Sequence, residues 1–328
     1  MDSQHFCIRS LTQLPHFSEG SVINREIKSR HYQIGETIRF SSSSSRVVCL
    51  ATSKLTGEKV VLKVVNLNED HGYLIELRLP TRLDIPYTIR PIDHFISSPF
   101  GCLVFPHVKS RPCRPQSWQT WLRVLHSLFE SLTSLHSNHY AHLDIKPSNI
   151  LLHRVKSRVK EVYLIDFGLS EFISPESSID SDSENKSLSI DGYFEDSALS
   201  IDGSCFSGTF PFIDPMYMRT GVPSVQSDMW SIGVMVAQSM ATKPTMFFKY
   251  SSSFSDQYKQ AVTFPSRFQS WVEKEKGMKE RLRNSVLLHL VRNVLKLNPD
   301  ERWTSSCALT YADQEMQKYN IRPLVKKI

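Results

Sequence analysis

The first part of the chain, after about residue 31, has the hydrophobic pattern of a β-sheet. Runs of β-branched and apolar residues occupy positions 46–51 and 59–65, and the polar stretch 54–58 separates them. Short apolar runs bounded by turn residues are typical of paired strands. We therefore predict two strands joined by a turn at 54–58, and another strand at 102–105.

Helical patterns occur both between these predicted strands and after them. A short helix is predicted at 68–79, ending at Pro80 because proline lacks the N–H that continues a helix. Residues 110–115 are predicted to link the two halves of the chain. Beyond them, apolar residues recur at three- and four-residue steps, which predicts a long buried helix: Trp118, Trp121, Leu122, Leu125, Leu128, Phe129, Leu132 and Leu135. Further helices are predicted at 229–240 and 286–297. The pattern indicates an α+β protein with a small antiparallel sheet followed by a larger, mostly helical part.

Composition supports an ordinary folded protein. The 328 residues are 40% hydrophobic and 22% charged, which is enough apolar material for a core. The six cysteines lie far apart, without a metal-ligand spacing, and indicate free thiols in a reducing compartment. Neither a leader peptide nor a run long enough to span a bilayer is evident. We expect a cytoplasmic protein with no membrane span, although export by a route without a cleaved signal stays open.

Charge is distributed unevenly along the chain. The net charge is +6, but residues 171–205 carry nine carboxylates against Lys186 alone, which leaves the remainder near +14. The basic residues are scattered, so we expect no nucleic-acid binding. The serine-rich acidic insert at 170–207 repeats one short motif at 188–192 and 199–203.

Two hypotheses remain for this insert. It is either an autophosphorylation target or inhibitory cover, or a solvated segment without a role. As a cover it would contact basic residues that precede the strand leading to Asp166: Arg154, Lys156, Arg158 and Lys160.

Two motifs carry the chemistry. Residues 142–149 read His-Leu-Asp-Ile-Lys-Pro-Ser-Asn, and residues 166–168 read Asp-Phe-Gly after an apolar strand. Phosphoryl transfer needs a cation on the phosphates, oxygen ligands for Mg²⁺ and a carboxylate for the attacking hydroxyl. The first motif resembles the catalytic loop of protein kinases and the second their metal-binding motif. The resemblance extends from about residue 32 to 309.

The resemblance implies a bilobed protein-kinase-like fold, ATP and Mg²⁺ as cofactors, and transfer of the γ-phosphate to Ser or Thr hydroxyls of protein substrates. Asp144 would accept the hydroxyl proton or align the hydroxyl. Lys146, two residues later, resembles the serine/threonine class and would neutralise the γ-phosphate. Asn149 and Asp166 would hold Mg²⁺.

The nucleotide-binding residues follow from the same resemblance. Lys63, in the middle of a predicted strand, would bind the phosphates and pair with a helix glutamate. Glu69 and Glu76 are both candidates, and the spacing favours Glu76. At the adenine edge, Pro106 would offer its carbonyl and Val108 its N–H.

The phosphate-covering loop departs from the family. When the chain is aligned on Val48, a further nucleotide-binding position, the three expected glycines fall at Ser41, Ser43 and Arg46. A side chain at each position restricts the backbone and should weaken the cover over ATP. Serine hydroxyls and Arg46 could compensate in part.

Other positions are structural in the family. Thr209 would bond the catalytic loop, and Asp228 would brace that loop as a helix-capping aspartate. In the family, a glutamate pairs with the arginine that corresponds to Arg302. Met216 occupies the position of that glutamate here, so Arg302 lacks its usual partner unless Asp214 replaces it. Leu143 occupies the place of an arginine that pairs with a phosphorylated activation loop, which argues against activation of that kind.

The expected organisation is an extension at 1–30, an ATP-binding lobe at 31–108 and a catalytic lobe at 109–328. One alternative function is a pseudokinase that binds nucleotide or protein without transfer, as the missing glycines suggest. Another is a small-molecule kinase of the antibiotic-phosphorylating type, which Lys146 and the Asp-Phe-Gly motif disfavour. Substrate identity and oligomeric state stay open.

Overall fold

The structure is a computed structural model that describes residues 21–40, 46–115, 117–174, 208–241, 246–274 and 286–325. The chain forms two compact units. The first consists of Met1–Pro112, Ile150–Gly168 and Val325–Ile328, and the second of Cys113–Asn149 and Leu169–Leu324. The division into lobes at 31–108 and 109–328 stays a prediction, and the units differ from it chiefly in placing 150–168 with the first.

The first unit is built on a five-stranded antiparallel sheet in the order β1-β2-β3-β5-β4. Its strands are β1 (Tyr32–Phe40), β2 (Arg46–Ser53), β3 (Lys59–Asn66), β4 (Asp93–Ser97) and β5 (Phe100–Pro106). The predicted strands at 46–51, 59–65 and 102–105 are therefore confirmed. So is the turn at 54–58, where Gly57 adopts a φ of 73° that favours glycine.

An N-terminal helix closes one face of this sheet. Helix α1 (Val22–Ser29) begins at the N-cap Ser21, whose side chain accepts the Asn24 N–H. Ile23 and Ile27, one turn apart, are fully buried in the same cluster as apolar residues from β2, β3 and β4. The sequence predicts only an extension at 1–30 and no helix there, because two isoleucines in a polar segment are a weak periodic signal.

Helix α2 (Tyr73–Arg82) differs from the prediction at 68–79 at both ends. Its start is delayed because the preceding residues form a turn. The Asn66 carbonyl accepts the Asp70 N–H at 2.8 Å, and the Asp70 carboxylate accepts the Gly72 N–H at 3.0 Å. Side chains of this type compete with a helix for backbone hydrogen bonds.

Pro80 lies inside α2 rather than ending it, so the predicted end was wrong. A proline removes one i to i−4 hydrogen bond, and near the C-terminal end few bonds remain to be lost. The helix continues until the Leu83 N–H bonds the Leu79 carbonyl at 3.1 Å.

A three-stranded sheet completes the first unit, in the order β6-β8-β9. Its strands are β6 (Ser110–Pro112), β8 (Ile150–Val155) and β9 (Arg158–Leu164). Residues 110–115, predicted as a link, therefore contain a short strand that pairs with β8. Strand β9 leads to Asp166 two residues after its end.

In its described residues, the second unit contains the two-stranded pair β7 (Tyr140–Ala141) and β10 (Glu171–Phe172), and its other main elements are helices. Its helices are α3 (Trp118–Ser137), α4 (Pro215–Thr220), α5 (Val225–Met240), α6 (Phe254–Val262), α7 (Phe264–Lys274), α8 (Val286–Val294) and α9 (Ser305–Lys318).

The predicted long helix at 118–135 is confirmed, and its N-cap Ser117 accepts the Thr120 N–H at 3.2 Å. Helix α5 contains the predicted 229–240. Helix α8 ends at Val294, three residues earlier than predicted. Within the described residues, none of the helices has the length and apolar character needed to cross a membrane.

Candidate functional site

Lys63 is the centre of a buried ion cluster in the first unit. It lies in β3, opposite Val48 of β2 and Leu103 of β5, so strands flank it on both sides. Its Nζ donates to Glu76 of α2 and, at 2.7 Å, to Oδ1 of Asp166. Lys63 and Glu76 are 7% and 6% exposed. Buried charges are stable only when paired, so each of these side chains fixes the others.

Glu76, rather than Glu69, is the partner of Lys63, as predicted. Glu69 instead accepts a hydrogen bond from Asn66 Nδ2 at 3.0 Å. The later start of α2 does not disturb this choice, because Glu76 lies in the first turn of the helix as it is observed.

The cluster changes the acidity of its members. Burial raises the pKa of Glu76 to about 6, the negative charge of Asp166 acts in the same direction, and Lys63 opposes both. For Lys63, burial lowers the pKa, but the charges of Glu76 and Asp166 outweigh it and the net shift is upward. Lys63 therefore stays protonated, while Glu76 can take up a proton in mildly acidic solution.

Arg46 extends the cluster in a way that no sequence motif indicates. Its Nε donates to the buried carboxylate of Asp70, and its Nη1 lies 4.0 Å from Oδ1 of Asp166. From the sequence, Arg46 is expected only to replace the third glycine and to compensate in part for the missing cover over ATP, and no contact with Asp70 or Asp166 is expected. Asp70 was missed altogether, since an acid in a polar turn carries no motif.

In the second unit, Asp144 is held by three side chains. Its Oδ2 accepts from Lys146 Nζ at 2.6 Å and from Asn149 Nδ2 at 2.8 Å. Its Oδ1 accepts from Thr209 Oγ1 at 2.9 Å. Lys146 Nζ also donates to Thr209 Oγ1 at 2.6 Å, so the predicted bond between Thr209 and this loop is present.

The side-chain oxygen of Asn149 is left without a hydrogen bond within the part of the chain that the structure describes. Its Nδ2 donates to both the carbonyl and the carboxylate of Asp144, which fixes the amide plane. Its Oδ1 is buried and has no hydrogen-bond partner among the described residues. A buried unpaired oxygen is costly unless something else satisfies it, and amide oxygens are ligands for Mg²⁺. The predicted metal-binding role of Asn149 fits this arrangement.

Asp228 braces the loop that carries Asp144. Its fully buried carboxylate accepts the N–H groups of His142 and Leu143, each at 2.8 Å. These bonds hold Leu143 in a left-handed conformation with a φ of 64°, which a non-glycine residue rarely adopts unaided. His136, which no sequence motif marks, also contacts this carboxylate, with its Nε2 at 2.9 Å from Oδ2 of Asp228.

Asp228 is not the cap of its helix, so that part of the prediction was wrong. The N-cap of α5 is Ser224, which forms a capping box with Ser227. Asp228 lies one residue beyond Ser227, inside the helix, and turns its carboxylate toward the loop instead.

Asp214 replaces the missing glutamate as the partner of Arg302. The guanidinium makes two hydrogen bonds to the carboxylate, at 2.6 and 2.7 Å, and also lies 5.2 Å from the ring centre of Trp230. Both charged side chains are buried. Met216 contributes only its N–H, which donates to Asp214 at 2.9 Å. The predicted alternative partner for Arg302 is thus confirmed.

The remaining predicted site residues give less information. Ser41 and Ser43 lie outside the described residues, as does 175–207 of the acidic insert. Val48 is half-buried in β2, Pro106 is exposed at the end of β5, and Val108 is half-buried just beyond it. Their contacts to a nucleotide stay predictions.

Comparison with known proteins identifies the family. The family model for the protein kinase domain matches residues 41–313. The chain belongs to the protein kinase domain family. The Lys63 cluster and the Asp144 cluster thus lie within the matched kinase domain, and the five-stranded sheet and helical second unit agree with its bilobed fold.

Similar proteins include plant and fungal proteins, two of which are named as kinases. A probable LRR receptor-like protein kinase of Arabidopsis thaliana is 24% identical over a match that covers 70% of this chain and 26% of the relative. The serine/threonine-protein kinase PDK1 of Cryptococcus neoformans is 28% identical over a match that covers 53% of this chain and 11% of the relative. U-box domain-containing protein 51 of Arabidopsis thaliana is 29% identical over a match that covers 44% of this chain and 16% of the relative. The match therefore spans a minor part of each of these relatives.

Proposed function

We propose that this kinase transfers the γ-phosphate of ATP to serine or threonine hydroxyls of protein substrates. The observation that carries the proposal is the contact of Lys146 with both Asp144 and Thr209, at 2.6 Å each. The lysine two residues after the aspartate is the feature that resembles the serine/threonine class. Kinases named for serine/threonine activity among the similar proteins support the same choice.

Asp144 is the proposed acceptor of the hydroxyl proton. Its carboxylate is 6% exposed and is oriented by Lys146, Asn149 and Thr209, so its direction is fixed before a substrate arrives. Pre-organised groups of this kind avoid reorganisation during the reaction. Lys146 keeps one positive charge beside the carboxylate, where it would offset the negative charge of the transferred phosphoryl group.

Asn149 and Asp166 are the proposed ligands for Mg²⁺, which neutralises phosphate charge when it is bound. The unpaired Asn149 Oδ1 supports this role. Lys63 is the proposed partner of the ATP phosphates. Two of its N–H groups are directed to Glu76 and Asp166, and the third remains for a phosphate oxygen. Binding of adenine at Pro106 and Val108, and a cytoplasmic location, are proposed on the sequence alone.

The direct test uses the full chain with Mg²⁺, labelled ATP and a generic basic protein, followed by identification of the phosphorylated amino acids. We expect phosphoserine or phosphothreonine, on the added protein or on the chain itself. Asp144→Asn and Asp166→Ala should abolish the label. Glu69→Gln, which removes a nearby carboxylate outside the cluster, is the matched control and should leave it unchanged.

The glycine-free stretch at 41–46 favours one competing function, a pseudokinase. Binding of Mg·ATP without transfer to any protein would support that alternative. Phosphotyrosine as the only product would contradict the serine/threonine assignment while leaving protein kinase activity in place.

A further inference from the structure

Arg46 and Asp70 form a charged link between the sheet and the helix of the first unit. Arg46 is the first residue of β2 and lies opposite Val65 of β3. Asp70 lies in the turn between β3 and α2. The guanidinium Nε donates to Asp70 Oδ2, and the side chain of Asp70 is only 4% exposed. A buried carboxylate of this kind depends on its partner, since its charge has little access to water.

Asp70 passes this restraint to the start of α2. Its second oxygen, Oδ1, accepts the N–H of Gly72 at 3.0 Å, and Gly72 directly precedes the helix. Gly72 is also packed against the backbone of Gly168, since a Cβ at Gly72 would lie 2.1 Å from the Gly168 carbonyl oxygen. The start of α2 is therefore held by the hydrogen bond from Gly72 to Asp70 and by the contact between the backbones of Gly72 and Gly168.

Glu76 lies one turn further along the same helix. Its carboxylate meets Lys63 only if the helix starts where Asp70 and Gly72 place it. Arg46 contributes at this end too, because its Nη1 lies 4.0 Å from the Asp166 oxygen that accepts from Lys63. Without Arg46, Asp70 would lose the cation that it is paired with, and Glu76 and Asp166 would keep only Lys63 as a nearby positive charge.

We propose that Arg46 is a positioning residue, which through Asp70 holds α2 in the register that pairs Glu76 with Lys63. This inference rests on the proposed kinase function and assigns a role to the residue at the third glycine position. Arg46, the last residue of the glycine-free stretch 41–46, is linked by its ion pair with Asp70 to the start of α2. The orientation of Glu76 thereby depends on a residue of β2.

The test compares Arg46→Met, Asp70→Asn and the double variant in the full chain. Hydrogen exchange of the α2 amides, without nucleotide, reports whether the helix is held. We expect exchange to quicken at least about tenfold in either single variant, and no further in the double variant, because both changes remove one link. Arg46→Lys, which keeps the charge, should restore part of the protection even if Arg46→Met folds poorly.

Arg90→Met is the matched control. It removes an arginine of the same unit whose ion pair with Asp84 is exposed, and it should leave the exchange of α2 unchanged. In the transfer assay, both single variants should lower kcat about ten- to a hundredfold with a smaller change in KM for ATP, since Glu76 misplacement affects the assembled site.

Two results would overturn the inference. One is unchanged exchange of α2 in Arg46→Met. The other is a large loss of ADP and ATP affinity in Arg46→Met but not in Asp70→Asn, which would make Arg46 a direct phosphate ligand. If the unaltered chain transfers no phosphate at all, the proposed function fails, yet the exchange experiment still decides the role of Arg46.

Discussion

At the residue scale, the identity of each partner decides what a charged side chain can do. Lys63 is buried between strands and can stay charged only beside Glu76 and Asp166. Asp144 is likewise surrounded by donors from its own loop and from Thr209. These arrangements make single substitutions informative, because a change at one residue leaves a defined partner without its counter-charge.

Lys63→Ala and Asp166→Ala should each lower phosphoryl transfer by several orders of magnitude, because the proposed roles of both residues are to bind phosphates and Mg²⁺. Glu76→Gln should lower it far more than Glu69→Gln, since Glu76 pairs with Lys63 and Glu69 bonds Asn66 instead. Steady-state transfer rates measure the effect, and circular dichroism confirms that each variant is folded. Equal losses at the two glutamates would contradict the assignment.

Glu76 also predicts a pH dependence. With its pKa raised to about 6, the carboxyl takes up a proton as the pH falls through that value, weakens its hold on Lys63 and lowers transfer. The pH profile of kcat/KM should therefore lose activity below about pH 6. In Glu76→Gln, whose side chain does not titrate, this part of the decline should be absent.

The effect of the same proton on stability has the opposite sign. A carboxyl whose pKa is higher in the folded than in the unfolded chain binds more protons when folded, so its contribution to stability is full below pH 4.5 and is lost as the pH rises to about 6. The loss corresponds to about 2 kcal/mol. Denaturant unfolding between pH 4.5 and 7 should show the unaltered chain losing this stability relative to Glu76→Gln. No change in their difference would exclude the raised pKa.

At the element scale, tertiary packing and side-chain hydrogen bonds determine the position of helices whose sequence signals are weak. Helix α1 is polar except for Val22 and the buried pair Ile23 and Ile27, yet it seals the sheet of the first unit. Helix α2 begins late because Asp70 and Asn66 favour a turn, and it tolerates Pro80 close to its end. In each case packing or a side-chain hydrogen bond outweighs local propensity.

Ile27→Ala in α1 should lower the free energy of unfolding by about 2–4 kcal/mol, because a fully buried side chain leaves a cavity in the sheet core. Val22→Ala in the same helix, at a position 52% exposed, is the control and should change it by well under 1 kcal/mol. Urea denaturation of the full chain measures both. A small effect at Ile27 would mean that α1 is not part of the folded core.

In the second unit, Asp214→Asn should destabilise by about 3–5 kcal/mol, since it leaves Arg302 charged and buried. The pair Lys318–Glu315, in which the lysine is exposed, provides the comparison, because Lys318→Ala should be almost neutral. Thermal unfolding of both variants measures the difference. A near-neutral Asp214→Asn would show that Arg302 does not depend on this carboxylate.

At the scale of the whole molecule, the chain contains a protein kinase domain of ordinary composition and, within it, an acidic serine-rich segment. The segment's charge opposes that of the remainder, but residues 175–207 lie outside the described structure. Its role as an autophosphorylation target or cover therefore stays a prediction, to be tested by mapping phosphate on its serines after incubation with ATP.

Nucleotide binding should stabilise the whole chain. At a Mg·ATP concentration about 100 times its dissociation constant, linkage gives about 2.7 kcal/mol, visible as a higher unfolding temperature. Lys63→Ala should abolish the shift, and omission of Mg²⁺ should reduce it, because the proposed contacts involve phosphate and metal. A shift of equal size in Lys63→Ala would place the nucleotide elsewhere.

The candidate site residues Lys63, Asp144, Asn149 and Asp166 were predicted from the sequence, on motifs that resemble those of protein kinases. Their side-chain types also suit the chemistry of phosphoryl transfer. The long helix at 118–135 and the turn at 54–58 were equally predictable, because apolar periodicity and turn residues are local properties of the chain.

The tertiary structure decided which atoms of residues distant in sequence meet. The sequence suggested that Asp228 braces the catalytic loop and left Asp214 as one possible partner of Arg302. The fold shows the N–H groups of His142 and Leu143 donating to Asp228, both bonds from Arg302 to Asp214, and the unexpected link from Arg46 to Asp70. Asp70 has no sequence motif that distinguishes it from a solvated acid. A charged residue becomes structural when folding buries it beside an opposite charge, and burial is a property of the folded chain.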